Sequence, residues 1–344
     1  MTTSIPRANS GFTLVELMVA AVLLTIISLA IGRLSLSGTH AQEYARRLNR
    51  VTELDHDALD EMRLDLVSNV RLFGNDAEGN ANLAVLDLSA APAQLAGLRL
   101  PSLSAGGRLQ ADTPGAEITG NSLFFAKLAW TDPFMCASGN HYLVDVYRWE
   151  YCYLSPVGTG PASGSPVGLD FVRFLSEPLA DAASIDRITN AADQAEVLLH
   201  LTAATADAEG KVHAPLEVVW RRGGLPSAVG TLRQVDDTDG SLSDTPMGSR
   251  PNPWRVLPSD PRVRGQLAHR AASVATNFAM PAFGVGRFGL VTTSGAGFPH
   301  GFEVQIVGPT SARQVLLRLV VANIIPRGRA AWSSAQAVVD CRDF

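Results

Sequence analysis

The residues best placed to take part in chemistry lie at the start of a long apolar run. Gly11 and Phe12 open the stretch GFTLVELMVAAVLLTIISLAIG, in which Glu16 is the only charged residue. A carboxylate at the centre of a bilayer costs about 2.5–3.5 kcal/mol even on lenient scales, so its presence requires a reason. Residues four apart share a helix face, which places Glu16 on the same side as Phe12. If the chain were cut after Gly11, the new Phe12 amine would lie on the same side of the helix as Glu16.

The order of the segments favours a removable leader over a secretory signal peptide. Residues 1–11 are polar and precede the apolar run, whereas a secretory signal carries its apolar core before the cut. A helix from Phe12 to Gly32 would extend about 31 Å, close to the roughly 30 Å of a hydrocarbon core. The alternative is an ordinary signal anchor with an incidental glutamate. A further alternative for Glu16 is that its side chain only reaches up to the lipid headgroups.

The sequence Gly11-Phe12-Thr13-Leu14-Val15-Glu16 resembles the type III signal of type IV pilins and type II secretion pseudopilins. The resemblance implies that a membrane-embedded prepilin peptidase cuts between Gly11 and Phe12 and then N-methylates Phe12. It also implies that Glu16, the fifth residue of the mature chain, pairs with the amine of a neighbouring subunit and so guides assembly. The implied protein is a structural subunit and not an enzyme. Its implied partners are the peptidase, other pilin or pseudopilin subunits through their N-terminal helices, and the inner-membrane assembly platform.

The length of the part that follows the helix indicates which members of the family the chain resembles. This length is similar to that of PilW-like minor pilins and of J- or K-type pseudopilins. More loosely, Phe302–Ile306 and Arg318–Ser333 resemble prepilin-like cassette proteins described from Verrucomicrobia. Two other functions stay open at this point. One is a non-polymerising, membrane-anchored binding protein that uses the same export signal, and the other is an anchored hydrolase with a dispersed active site.

Charge and composition bound the location and the partners. We expect a single-pass protein of the bacterial inner membrane, with its leader in the cytoplasm and its head in the periplasm, that then joins a pilus or pseudopilus. Arg7 precedes the span and four arginines follow it between residues 33 and 50, so positive charge alone leaves the orientation ambiguous. Long following domains translocate largely regardless of charge. The net charge is −5 without a basic block, so nucleic-acid binding is not indicated.

Periodicity predicts an α+β fold. Apolar residues at three- and four-residue spacing from Leu48 to Phe73 continue the helix, and Gly74-Asn75 predicts its end. Beyond residue 75, short runs rich in β-branched and aromatic residues predict strands. They are Leu83–Leu88, Leu123–Trp130, Tyr142–Leu154, Leu169–Leu175, Val197–Thr202, Leu216–Arg221, Phe302–Val307 and Val315–Val321. Ala268–Phe278 fits a helix or a strand equally. The expected fold is pilin-like: a long N-terminal helix, half transmembrane and half amphipathic, packed on a mostly antiparallel sheet with long loops.

These elements divide the chain into four parts. The predicted parts are a leader over residues 1–11, a transmembrane helix over 12–32, an amphipathic stalk helix over 33–74 and an extracytoplasmic β-rich head over 75–344. Turn-rich composition predicts loops over Ser155–Gly168 and Gly223–Pro261.

The cysteines and one acidic cluster are the other candidate sites. Cys136 and Cys152 could staple a hairpin in an oxidising compartment; a bridge that involves Cys341, or free thiols, are the alternatives. Carboxylates around Gly240 could offer oxygen ligands to Ca²⁺, although they do not fit the EF-hand register. They are Asp236, Asp237, Asp239 and Asp244. The preferred interpretation is a solvated acidic loop, so no cofactor is expected.

The remaining nucleotide-binding and metal-binding patterns lack the neighbouring residues that such sites require. Gly284, Gly286 and Gly289 match G-x-G-x-x-G, but no helix signal follows as a dinucleotide site requires. The seven histidines are scattered, and none forms an H-E-x-x-H motif or a His/Cys pair at zinc spacing. Sequence alone therefore predicts no metal or catalytic centre.

Overall fold

The computed structural model describes residues 13–109, 118–155, 169–203, 205–229, 262–274, 301–325 and 329–343. The chain forms two compact units, Met1–Arg50 and Val51–Phe344. The helices in the described ranges are α1 (Leu14–Val67), α2 (Ala77–Val85), α3 (Ala182–Asp186) and α4 (Ala191–Ala203). The strands are β1 (Asn69–Phe73), β2 (Leu103–Ser104), β3 (Leu123–Met135), β4 (His141–Ser155), β5 (Leu169–Ser176), β6 (Leu179–Asp181), β7 (Val218–Trp220), β8 (Ser227–Ala228), β9 (Gly265–Val274), β10 (Phe302–Val307), β11 (Arg313–Ile325) and β12 (Arg329–Cys341).

The described part of the first unit is the N-terminal portion of α1. All of its large apolar side chains from Leu14 to Leu36 are exposed. Among the described residues, α1 is the one helix that is long and apolar enough to cross a membrane. Beyond the apolar run the surface becomes charged, and Arg47 forms an ion pair with Glu43 one turn earlier. An apolar surface and a charged surface thus follow one another along one continuous helix.

In the second unit, the last turns of α1 bury a stripe of side chains. Val51, Ala58, Met62 and Leu66 belong to one apolar core, as their spacing predicts, and Leu59 joins them. Strand residues of the sheet complete the same core, among them Phe125, Phe171, Phe302 and Leu317. With the buried Asp55 between Val51 and Ala58, the buried positions recur after three or four residues, so one helix face covers the sheet.

The end of α1 corrects the sequence prediction of a stalk helix over 33–74. The helix ends at Val67, and Asn69–Phe73 forms β1, which pairs antiparallel with β3. Phe73 stacks on Phe124 with ring centroids 4.4 Å apart. The apolar residues of this segment suit a strand as well as a helix, and pairing with β3 favours the strand because it satisfies backbone groups at a buried edge.

The strands of the described ranges form a single twelve-stranded sheet with the central order β2-β10-β11-β9-β5-β4-β6-β7-β8; β12 pairs with β11, and β3 pairs with β1 and β4. Neighbouring strands are antiparallel except β2–β10 and β6–β7, which are parallel. This arrangement confirms the predicted α+β class and its mostly antiparallel sheet. Five predicted strands are found close to their expected bounds as β3, β4, β5, β10 and β11, and Leu216–Arg221 contains the shorter β7.

Two predicted strands are wrong. The first half of Leu83–Leu88 is the last turn of α2, whose N-terminus is capped by the Asp76 carboxylate, which accepts from the Gly79 amide at 2.7 Å. Val197–Thr202 lies in α4, where Val197, Leu198 and Leu201 are buried on one face. Six-residue apolar runs do not distinguish a helix from a strand, and here the core that each segment meets decides.

The structure decides part of the segment that fitted a helix or a strand equally, and it describes little of the predicted loops. The part of Ala268–Phe278 up to Val274 is strand, within β9. Residues 156–168 and 230–261 of the predicted loops lie outside the described residues, as do residues 275–278.

A buried charge network fixes the end of α1 to the sheet. Glu150 on β4 is fully buried, and its carboxylate accepts from Lys127 Nζ at 2.8 Å and from Arg173 Nε at 2.6 Å. The same two cations reach the helix: Lys127 bonds Asp65 at 2.6 Å, and Arg173 bonds Asp65 and Glu61. Burial raises the pKa of Glu150 despite both cations, so the site depends on keeping them in place.

We predict that Met62→Ala destabilises the second unit by about 2–5 kcal/mol, because Met62 is fully buried and its loss leaves a cavity. Leu64→Ala, two residues away and 72% exposed, is the matched control and should change stability by less than about 0.5 kcal/mol. Denaturant unfolding of the detergent-solubilised chain, followed by tryptophan fluorescence, measures both. Equal effects of the two substitutions would contradict the observed orientation of α1.

We predict that Asp55→Asn stabilises the protein at high pH but not at low pH. Asp55 is fully buried, and burial raises its pKa from 3.8 to about 6, although Ser333, His56 and the Ala335 amide act to lower it. The favourable contribution of the protonated form is complete below about pH 4 and is lost as the pH rises through about 6. The expected gain at pH 8 is on the order of 1–3 kcal/mol.

Unfolding at pH 4.5 and pH 8 measures the difference, with the exposed Asp57→Asn as the control. A gain for Asp55→Asn of the same size at both pH values would show that the carboxylate is not the cause.

Candidate functional site

The N-terminal end of α1 holds the sequence-predicted assembly residue. Gly11 and Phe12 lie outside the described residues, and Thr13 is the residue before the helix begins. The Thr13 amide donates to Glu16 Oε2 at 2.9 Å, and the Glu16 amide donates to Thr13 Oγ1 at 3.3 Å. The Thr13 hydroxyl also donates to Glu16 Oε2 at 3.0 Å. This reciprocal pattern is a capping box, which satisfies amides that a helix N-terminus otherwise leaves unpaired.

The capping box gives Glu16 a role that the sequence analysis missed. The pattern Thr-x-x-Glu immediately before an apolar helix was readable from residues 13–16 as a start signal. All of the hydrogen bonds that Glu16 accepts from described residues go to Oε2. Since an ionised carboxylate offers about four acceptor sites, Oε1 keeps the capacity to bind a further cation or donor. Capping and pairing are thus compatible in one side chain.

The fold and the site together define a class. A long N-terminal helix with an apolar first half, followed by a mixed α+β unit, is a pilin-like architecture. The motif comparison specifies it further: residues 6–32 match the family described as the prokaryotic N-terminal methylation motif. The chain therefore carries an N-terminal motif like that of type IV pilin and pseudopilin precursors. Comparison with curated proteins and with solved structures found no match.

This motif has general consequences. A prepilin segment implies processing by a prepilin peptidase and assembly with pilin subunits. Together with the apolar helix, it fits a protein anchored in a membrane. It indicates a structural role for the chain.

The predicted Cys136–Cys152 bridge is wrong in this structure, in which Cys136, Cys152 and Cys341 are free and buried. Cys136 follows the β3 end at the hairpin turn, where Met135 pairs with His141, whereas Cys152 pairs with Leu123 at the opposite end. The eleven positions from His141 to Cys152 correspond to roughly 36 Å of strand at about 3.3 Å each. A disulfide requires Cα atoms within about 7 Å, so the hairpin register itself prevents this bridge.

The candidate calcium ligands Asp236, Asp237, Asp239 and Asp244 lie outside the described residues, and so does the Gly284–Gly289 motif.

The structure instead brings together a cluster that sequence reasoning missed. Ligand atoms of Cys136, Asp193 and Glu196 lie within 4.8 Å of one another. Burial, together with Glu196, Asp193 and Asp207, raises the pKa of the Cys136 thiol to about 11. A signal was present in the sequence as Asp-x-x-Glu-x-x-x-His over residues 193–200, which puts three ligand types on one helix face.

A second polar cluster supports the same end of the hairpin. His213 is completely buried, with Nδ1 3.0 Å from Asp132 Oδ2 and Nε2 3.1 Å from Asp207 Oδ2. Burial acts to raise the pKa of Asp207, but His213 and the amides of Lys211, Met135 and Glu209 lower it to about 2. These bonds hold the 207–213 turn against β3 and fix the local backbone.

Proposed function

We propose that this chain is a minor pilin or pseudopilin of a type IV pilus or type II secretion-like filament. A prepilin peptidase cuts it after Gly11 and N-methylates Phe12. The mature helix then joins the filament, in which Glu16 pairs with the Phe12 amine of the adjacent subunit. The observation that carries the proposal is the methylation-motif match over residues 6–32, which coincides with an exposed apolar helix.

The geometry of Glu16 supports the pairing step. The capping box orients its carboxylate toward the N-terminal end of the helix, which is where a newly freed amine lies after cleavage. Both groups are costly in lipid when alone, and each offsets the cost of the other when they pair. Because one amine meets one carboxylate, the pair also sets the axial register between neighbouring subunits.

The exposed apolar side chains support membrane storage before assembly. The surface from Leu14 to Leu36 suits lipid in the precursor and suits other apolar helices in the filament. We infer a single span with the leader in the cytoplasm and the head in the periplasm. In that topology the peptidase and the assembly platform of the inner membrane are the first partners.

The size of the part beyond the helix supports the role of a minor subunit. About 270 residues remain beyond the helix, and bulk of this kind is harder to repeat along a shaft than to carry at a tip. The same reasoning gives the head a role in priming or ending a filament.

We predict that Gly11→Ala accumulates an uncut precursor, because a β-carbon enters the position at which the peptide bond is cleaved. Intact-mass measurement of the membrane-extracted protein should show wild type beginning at a methylated Phe12. Ser10→Ala, one residue earlier in the leader, is the matched control and should be processed normally. A wild-type protein that retains residues 1–11 in cells with an active prepilin peptidase would refute the proposal.

We predict that Glu16→Gln is processed normally but enters filaments at least about tenfold less than wild type. Glutamine can still accept the Thr13 amide in a capping box, so this change removes the charge and spares the cap. The lost charge-assisted bond is worth about 1.5–3 kcal/mol, which corresponds to at least tenfold. Quantitative immunoblotting of sheared filaments against the membrane fraction measures incorporation.

Thr13→Ala is the converse control, since it keeps the carboxylate and weakens the cap by about 1 kcal/mol. It should assemble nearly as well as wild type. Normal incorporation of Glu16→Gln together with failure of Thr13→Ala would assign Glu16 to helix capping alone. Absence of both wild type and variants from filaments would favour a membrane-anchored binding protein that does not polymerise.

A further inference from the structure

A set of metal-ligand side chains lies in the head, between the β3–β4 turn and α4. Asp193, Glu196 and His200 are spaced three and four residues apart, so they share one face of α4. Cys136 stands opposite, at the first position after β3. Its Sγ lies 3.8 Å from the Asp193 carbonyl oxygen. Asp193 and His200 are buried, and Glu196 is partly exposed, which leaves an opening to solvent.

The second observation is an unsatisfied nitrogen beside Glu196 of this set. His200 has a side chain that is only 7% exposed, and its Nε2 has no hydrogen-bond partner. This Nε2 lies 3.6 Å from Glu196 Oε1, which is too long for a hydrogen bond. It is close to the roughly 3.3 Å that separates two ligand atoms of a tetrahedral zinc ion with bonds of about 2.0 Å.

The other ring nitrogen is held as in a metal-bound histidine. His200 Nδ1 lies 2.9 Å from Thr205 Oγ1. When Nδ1 carries the proton and donates it to the hydroxyl, the lone pair lies on Nε2, the nitrogen that is 3.6 Å from Glu196 Oε1. Outer hydrogen bonds of this kind fix the tautomer and orientation of metal ligands. The ring is also packed beside Phe134, with centroids 6.5 Å apart.

The carboxylates are preorganised without a compensating cation. Asp193 Oδ2 accepts from Asn140 Nδ2 and from Tyr142 OH, each at 2.8 Å. Glu196 accepts from the Ala137 amide at 2.9 Å, directly after the cysteine. Within the described ranges, neither carboxylate forms an ion pair with a lysine or an arginine. A site with two carboxylates and a thiol but no cation attracts a positive ion.

We propose that Cys136, Asp193 and Glu196, whose ligand atoms lie within 4.8 Å of one another, bind one zinc ion together with His200, whose Nε2 lies 3.6 Å from Glu196 Oε1. Thiolate and imidazole ligands favour zinc over calcium or magnesium, which prefer oxygen alone. Four protein ligands correspond to a structural site. The ion ties the turn of the β3–β4 hairpin to α4, and it acts independently of the N-terminal processing and assembly. Binding of the metal releases the thiol proton, so affinity rises with pH.

Metal titration of the full, detergent-solubilised chain tests the proposal after chelator treatment and dialysis. We expect one Zn²⁺ per chain by calorimetry, displacement of Co²⁺ by Zn²⁺, and a thiolate-to-cobalt absorption band in the Co²⁺ form. Cys136→Ser should abolish that band, and His200→Ala should weaken Zn²⁺ binding at least tenfold. Thr205→Val, which removes the outer hydrogen bond, should weaken it by about 10–100-fold.

Two matched controls separate the site from general effects. Cys152→Ser removes a buried thiol of a different core, and His141→Ala removes an exposed histidine of the same hairpin. Both should keep wild-type stoichiometry and the cobalt band. Circular dichroism of the metal-free variants checks that each one folds.

Three outcomes would overturn the proposal: no stoichiometric Zn²⁺ binding, a cobalt spectrum of wild type without the sulfur band, or unchanged affinity in a folded Cys136→Ser. Binding of Ca²⁺ in preference to Zn²⁺ would also exclude it. The wild-type spectrum decides the question even where a ligand variant fails to fold.

Discussion

The buried carboxylate of Glu150 is the constraint on which the second unit depends. It cannot remain ionised away from water unless cations accompany it, and Lys127 and Arg173 supply them from the neighbouring strands. The same cations also bond Asp65 and Glu61 of α1. The need of Glu150 for nearby cations therefore fixes the position of α1 on the sheet. Removing one partner of a buried ion pair costs about 3–5 kcal/mol. The apolar stripe from Val51 to Leu66 stabilises the packing of α1 on the sheet, and the ion pairs determine the register of that packing.

At the other end of the same helix, one side chain serves two requirements. Glu16 closes the helix by accepting the Thr13 amide, and its second oxygen remains available to a partner. This double use of one side chain suits a membrane helix, because unpaired amides and an unpaired carboxylate are both costly in lipid. The proposed pairing with a methylated amine therefore uses a group that the helix already holds in position.

The head combines a rigid hairpin with an unusual set of side chains. The buried His213, between Asp132 and Asp207, secures the hairpin end. Three of the proposed zinc ligands lie on α4, and the fourth, Cys136, directly follows β3. Sequence spacing did not reveal this set because its cysteine and its helix are separated by more than fifty residues. The predicted strand over Val197–Thr202 also hid the common face of Asp193, Glu196 and His200, which exists only if the segment is helical.

Sequence by itself determined the apolar helix, the prepilin motif and the strongest strands, because each is a local pattern of 6 to 25 residues with a period or a fixed spacing. It also determined the stripe of α1, whose residues recur with helical period. Only the tertiary structure decided where α1 ends, that α2 and α4 are helices, and that Cys136 and Cys152 stand far apart. These features depend on which strand edge or core a segment meets. Apolar runs as short as Val70–Phe73 carry no preference strong enough to resist pairing with a neighbouring strand.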